Sequence, residues 1–193
     1  IDVFCLDILY EHGAQDHLVS RVIAGAGFDA EIMHSTSDRL KAAAGWLAYT
    51  EAGVRKLRGK RHTVTVVPQD DEAKRYRVRS AMIANCGILT GGINMVPEAV
   101  IDDGLLDVAL LDPRNLVDWI QVAAATLVPK QKAARVTTFP TRKCKLVFDE
   151  PLVAQIDGDP IPKTKQIVAE TIPRSLQVRV PAPPPTDSSR QQN

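Results

Sequence analysis

Two stretches carry residues whose types and spacing could do chemistry. In "TGGINMVPEAVIDDG", residues 90–104, paired glycines and a proline lead to Asp102, Asp103 and Gly104, and a strand-like "LLDVALL" starts directly behind them. Carboxylate and carbonyl oxygens are the hard ligands that Mg2+ takes, so this bend is a candidate cation site. A plain loop accounts for the same residues, with Gly91 and Gly92 giving flexibility and Pro97 opening a helical turn. In "QIDGDP", residues 155–160, Asp157 and Asp159 flank one glycine. Asp-Gly is a routine hairpin turn. The chemical alternative is a carboxylate at a strand end that accepts or orients the proton of an attacking hydroxyl.

A third stretch, "AGAGFDAEI" at residues 24–32, sets two glycines before Phe28 and Asp29. Glycine lets a backbone approach a phosphate or a lipid head closely, or adopt positive φ. The third glycine and the βαβ setting of a dinucleotide fingerprint are missing. On residue types alone a tight turn explains it better, with Phe28 in the core and Asp29 capping a helix. Arg75, Arg77 and Arg79 alternate along one strand and could attract phosphate or an anionic membrane, but a solvated strand face explains them more simply. His12, His17, His34 and His62 form no HxxxH or HExxH pattern and read as surface or loop residues. Cys5, Cys86 and Cys144 are odd in number and lack a CxxC pair, so neither a disulfide framework nor a zinc site is expected, and a reducing cytosol fits.

These groups need positioning, and the pattern predicts mostly strands. Residues 1–9 and 18–24 read as strands around a loop at Gly13. Leu40, Ala43, Ala44, Leu47, Ala48 and Val54 recur at helical spacing, between a cap at Ser37 or Asp38 and a stop at Gly59. "HTVTVVP" alternates, and "RYRVRSAMIAN" puts Tyr76, Val78, Ser80, Met82 and Ala84 on one face. "NLVDWIQVAAATLV" reads as a second helix. "ARVTTFP", "CKLVFDEP", "LVAQIDGDP", "KQIVAE" and "SLQVRVP" are short segments separated by proline and glycine, the signature of an antiparallel sandwich or barrel. The expected class is therefore mainly β, an antiparallel β-sandwich with two helices. Residues 182–193 are Pro-rich and polar and are expected to be a disordered tail.

The bulk numbers agree with one soluble domain. The chain has 193 residues, 45% of them apolar and 24% charged. A formal net charge of +1 argues against nucleic acid as the main partner. No apolar run approaches the roughly 18 residues a spanning helix needs.

"AGAGFDAEI", "KAAAGWLAYTEAG", "NCGILTGGINMVPEAVIDDGLLDVALL", "QIDGDP" and "SLQVRVP" occur in the order and spacing of one family. Over residues 1–181 the chain resembles the C-terminal domain of the diacylglycerol kinase catalytic family, the bacterial lipid kinases related to sphingosine and ceramide kinases. The resemblance implies the C-terminal β-sandwich of a two-domain lipid kinase, whose N-terminal domain holds ATP through a GGDGT loop; that loop does not occur here. It implies a structural Mg2+ on the carboxylate of Asp103 and the carbonyls of Val100 and Leu105. It implies Asp159 as the acid nearest the chemistry, assisted by Asp157, and Gly27, Phe28, Asp29, Asn85 and Gly92 on the substrate side of the cleft. Asp159 stands where the family has Glu, shorter by one methylene, about 1.5 Å of reach. The implied activity is transfer of the ATP γ-phosphate to a diacylglycerol-like hydroxyl, with the isolated chain inactive. The alternative is a non-catalytic lipid-binding or regulatory module derived from such a kinase. The implied partners are the lipid, the nucleotide-binding domain and, transiently, the membrane, for a cytoplasmic protein peripheral at the inner face; a homodimer stays open.

Overall fold

The computed structural model describes residues 1–27, 60–89, 93–94, 96–115, 117–118, 121–122 and 135–179. They form β1 (Val3–Tyr10), β2 (Gln15–Ser20), β3 (Ile23–Gly27), β4 (His62–Pro68), β5 (Lys74–Val78), β6 (Ser80–Ala84), β7 (Ile88–Leu89), β8 (Ile93–Asn94), β9 (Leu106–Leu111), β10 (Val136–Thr141), β11 (Lys143–Ile156) and β12 (Asp159–Ile172). All pairings are antiparallel. The domain is thus mainly β, as its alternating segments predict.

The main sheet runs β10-β9-β6-β3-β11-β12-β1-β2 and forks at β11. One edge of this 14-residue strand is covered by β12. Its other edge takes β4 along Cys144–Phe148 and β3 along Ala154–Ile156. Between the branches the β11–β12 register shifts around Pro151. Proline has no N–H to give a ladder, so a bulge is where a strand tolerates it. The two strands expected on either side of Pro151 are therefore one.

The branches face each other across a shared core. Strand β1 sends Phe4, Leu6, Ile8 and Tyr10 into it, β4 sends Val64 and Val66, β9 sends Leu106, Val108 and Leu110, and β11 sends Cys144, Leu146 and Phe148. This is the period-two alternation that the sequence shows, and each fully buried large side chain contributes about 1.5–3 kcal/mol. A second cluster, Ile23, Met82, Ala84, Val96, Ala109 and Leu111, lies on the opposite face of β6 and β9, so these strands are buried on both sides.

Several expectations are corrected. The two helices are not borne out. The first falls outside the described residues; of the second only Val117, Asp118, Gln121 and Val122 are described with helical backbone. The strand expected over residues 18–24 is two, broken at Arg21 and Val22. The alternation from Tyr76 to Ala84 slips by one at Arg79, between β5 and β6. Val78 faces the shared core, but Ala81 and Ile83 continue that face, and Met82 and Ala84 join the second cluster. A one-residue slip exchanges the faces of a strand. Arg79 is buried by the same slip, and its Nε donates to the Pro113 carbonyl at 2.5 Å, whereas Arg75 and Arg77 stay exposed. His62 is buried on β4 against Glu150. The stretch "SLQVRVP" forms no strand over residues 175–179; Ile1 and Leu176 exchange hydrogen bonds of 2.7 and 3.1 Å there. Residues 182–193 lie outside the described residues.

Candidate functional site

The β11–β12 hairpin closes through Asp157 and Gly158, whose φ values of 50° and 96° are both positive. A two-residue turn with two positive φ values matches the right-handed twist of its strands, and Asp-Gly suits it. The Asp157 carboxylate is engaged throughout. Its Oδ1 accepts from Ser20 Oγ at 2.6 Å and from the amides of Val22 and Ile23 at 3.0 Å, and its Oδ2 accepts from the Arg21 amide at 3.0 Å. Burial pushes its pKa up, but the Ser20 hydroxyl and the three amides outweigh that and hold the carboxyl below its usual range. This residue thus ties the hairpin to the β2–β3 break; its lone pairs are occupied by the protein's own donors.

Asp159, the first residue of β12, is exposed, and its carboxylate makes no hydrogen bond or ion pair among the described residues. It is an unencumbered carboxylate directly behind a locked turn.

Asn85 is 1% exposed. Its Nδ2 donates to the carbonyls of Asp2 at 2.9 Å and Arg21 at 3.2 Å, and its amide donates to the Val22 carbonyl at 2.9 Å. Its Oδ1 has no partner among the described residues. Two carbonyl acceptors facing the nitrogen fix the amide's orientation, so the unpaired acceptor is real and a buried water or a ligand hydroxyl would satisfy it.

The acidic bend rests on a residue that sequence reasoning missed. Asp2 is wholly buried. Its carboxylate accepts from the Gly104 amide at 2.6 Å and the Arg174 amide at 2.7 Å, and its own amide donates to the Ile101 carbonyl at 2.7 Å. Gly104, at φ 78°, takes the left-handed conformation that lets the chain reverse into β9. Asp103 is exposed and accepts from the Leu105 amide at 2.9 Å, which leaves its Oδ2 without a partner among the described residues. Val100 is exposed and Leu105 half-buried. Asp107, also missed, sits in β9 with its pKa pushed up to about 6 by burial first and then by the charges of Asp103 and Glu98. In the sequence it looked like the polar start of an apolar strand.

Gly27 has a packing role. At φ 109°, a side chain there would meet the Arg79 carbonyl 2.3 Å away, because β3 lies directly against β6. Phe28, Asp29 and Gly92 lie outside the described residues. The structure therefore joins Asp157, Asn85 and the Asp103 bend into one network through Ser20–Ile23 and Asp2, and leaves Asp159 free at its edge. No three carboxylate, imidazole or thiolate side chains gather into a metal cluster among the described residues.

The forked antiparallel sheet makes the chain a mainly-β, sandwich-like domain. Residues 22–180 match the family described as the YegS C-terminal NAD kinase beta sandwich-like domain, and the chain belongs to that family. A protein of Shewanella frigidimarina described as a probable lipid kinase, YegS-like, is 30% identical over 158 residues, covering 82% of this chain and 51% of that protein. The diacylglycerol kinase of Bacillus subtilis is 25% identical over 146 residues, covering 71% of this chain and 48% of that protein. The crystal structure of a diacylglycerol kinase from Bacillus anthracis shares the fold at a TM-score of 0.57 and 12% identity, over 90% of this chain and 50% of the other. The chain spans about half the length of the curated relatives it matches.

Proposed function

We propose that this domain supplies the lipid-facing half of a lipid kinase that moves the ATP γ-phosphoryl group to a diacylglycerol-like hydroxyl. The observation that carries the reading is Asp159: an exposed carboxylate, unpaired among the described residues, on a hairpin whose neighbouring turn is locked by four hydrogen bonds. A rigid support with one free base suits proton transfer. The lipid oxygen attacks the γ-phosphorus, the bond to the bridging oxygen breaks with its electron pair leaving on ADP, and the hydroxyl proton passes to Asp159. The nucleotide itself would be held mainly by a nucleotide-binding domain outside these residues.

The donor set at the acidic bend fits a hard cation. Asp103 has a carboxylate oxygen to spare, and the carbonyls of Val100 and Leu105 flank it in sequence. A Mg2+ bound there would offset the mutual repulsion of Glu98, Asp103 and Asp107 and brace the start of β9. Asn85 serves as a positioning residue whose Oδ1 can accept from a water or hydroxyl. No helix among the described residues is long and apolar enough to cross a membrane. The reading has the protein reach its lipid from the cytoplasmic face as a peripheral visitor.

The test is γ-phosphate transfer by the full-length protein to diacylglycerol in mixed micelles. Asp159→Asn is expected to lower kcat by about 10²-fold or more, with Asp159→Glu retaining activity. Unchanged turnover in Asp159→Asn removes that residue from the mechanism. A wild-type protein that binds the lipid without phosphorylating it is instead the lipid-binding module, with the shorter Asp159 marking lost chemistry.

A further inference from the structure

Away from that site, at the far ends of β9 and β10, arginines converge on one short loop. Arg61 donates through Nε and Nη2 to the two oxygens of Asp112, at 2.6 and 2.5 Å, and through Nη2 to the Arg77 carbonyl at 2.9 Å. Arg114 approaches the same Asp112 oxygen with its Nε at 3.5 Å, and its amide donates to Asp118 at 2.8 Å. Arg135, whose carbonyl accepts from the Asp112 amide at 2.9 Å, brings its Nε to 3.7 Å from Asp118. Three guanidinium groups, those of Arg61, Arg114 and Arg135, thus meet two carboxylates, while the formal net charge of the entire chain is +1. Buried Arg79 lies beneath; burial lowers its pKa, the Asp112 charge favours its charged form and Arg61 opposes it.

The layering decides which sign faces outward. The Asp112 and Asp118 side chains are 18% and 13% exposed, whereas those of Arg114 and Arg135 are 54% and 44% exposed. The carboxylates form a floor that orients the arginines through their Nε atoms. The outer Nη groups of Arg114 and Arg135 make no bond among the described residues. Each guanidinium has five N–H donors in a planar fork, a geometry that matches the oxygens of a phosphate. We propose that Arg61, Arg114 and Arg135 form a binding site for a phosphate-type oxyanion. The anion is either free phosphate or the headgroup of an acidic phospholipid; Val117, 60% exposed beside Asp118, offers an apolar contact to the second. The site does not depend on the kinase reading.

The test uses the full-length protein with two probes. Inorganic phosphate is titrated calorimetrically at an ionic strength fixed with chloride. Separately, the protein is co-sedimented with vesicles of phosphatidylcholine alone and of phosphatidylcholine with phosphatidylglycerol in equal parts. Two variants are compared, Arg114→Gln/Arg135→Gln and Arg114→Gln alone. The double variant is expected to weaken binding in one arm at least about tenfold, the loss of two charge-assisted contacts, and Arg114→Gln alone to weaken it less. The arm in which the loss appears identifies the source of the anion. The proposal is overturned if the wild type binds neither phosphate nor the mixed vesicles, or if the double variant binds as the wild type does. If circular dichroism shows the double variant unfolded, Arg114→Gln decides: weaker binding supports the site and unchanged binding overturns it.

Discussion

Asp157 offers a direct test of whether the hairpin carboxylate is a brace or a reactant. Replacing it with alanine strips partners from the Ser20 hydroxyl and from the amides of Arg21, Val22 and Ile23. Hydrogen bonds to a charged group contribute about 1.5–3 kcal/mol each but are not additive, and water replaces the bond at the exposed Arg21 amide. Three part-buried donors and the loss of a residue type that tolerates positive φ give a cost of about 3–5 kcal/mol. Asparagine behaves differently. Three of the four bonds end on Oδ1, which an amide oxygen can replace, and asparagine accepts φ 50° readily. Only the Arg21 amide then faces an –NH2 group, so Asp157→Asn should cost about 1–2 kcal/mol. The pH dependence separates the two further. The folded pKa is depressed, so the carboxylate's contribution is fully present above the unfolded value of about 4 and is lost as pH falls through the folded value. Urea unfolding followed by circular dichroism at neutral pH, then stepwise down through this acid window, reads both effects. Asp157→Asn should remove that part of the acid slope. A Tm for Asp157→Ala within a degree or two of wild type would refute the brace, since about 3–5 kcal/mol corresponds to roughly 10 °C in a domain of this size.

Gly27→Ala should cost more than about 3 kcal/mol or abolish folding, because its Cβ would sit 2.3 Å from the Arg79 carbonyl; Gly13→Ala, also at positive φ but with nothing within 4 Å, should cost only about 1 kcal/mol in the same denaturation assay. Asp2→Ala, which leaves the Gly104 and Arg174 amides without their acceptor, should lose about 3 kcal/mol or more and speed proteolysis at the 101–104 bend. Cys144, pushed up to about 12 by burial, should stay unreactive to a thiol reagent until the domain unfolds, while half-buried Cys5 and Cys86 react earlier. Added Mg2+ should raise the Tm of the wild type and leave that of Asp103→Ala unchanged; a shift of equal size in both would place the cation elsewhere.

What the sequence could show depended on how far apart the interacting residues lie along the chain. Alternation in β4 is local, and the core face that it predicts, with Val64 and Val66, is the one observed. The hairpin at Asp157–Gly158 is local too, and so is the bend before β9. The slip at Arg79 is a single residue in an otherwise regular pattern, and nothing in the neighbouring side chains announces it. Proline misled in the opposite direction: Pro151 reads as a strand end, yet β11 passes through it by bulging, because the fork needs that strand in both branches.

The candidate site was legible as a set of residues but not as a network. Asp157 meets Ser20 across 137 positions, Gly104 meets Asp2 across 102 and Arg174 meets Asp2 across 172. Such contacts leave no periodicity, so an aspartate that braces and an aspartate that reacts look alike in one sequence. Asp157 and Asp159, two residues apart, separate only when their partners are known: the carboxylate of the first is engaged by four donors, and that of the second by none among the described residues. The same reasoning places Asp2, two residues into the chain and without any motif, at the junction of the acidic bend and the 173–174 turn. A buried carboxylate whose two oxygens each take one backbone amide is costly to remove and holds both loops in one geometry. If Asp103 binds a cation, its affinity should therefore fall in Asp2→Asn even though Asp2 is not among the expected ligands. Calorimetric Mg2+ titration of that variant, folded by circular dichroism, reads this coupling directly, and an unchanged affinity would show that the bend keeps its shape without the brace.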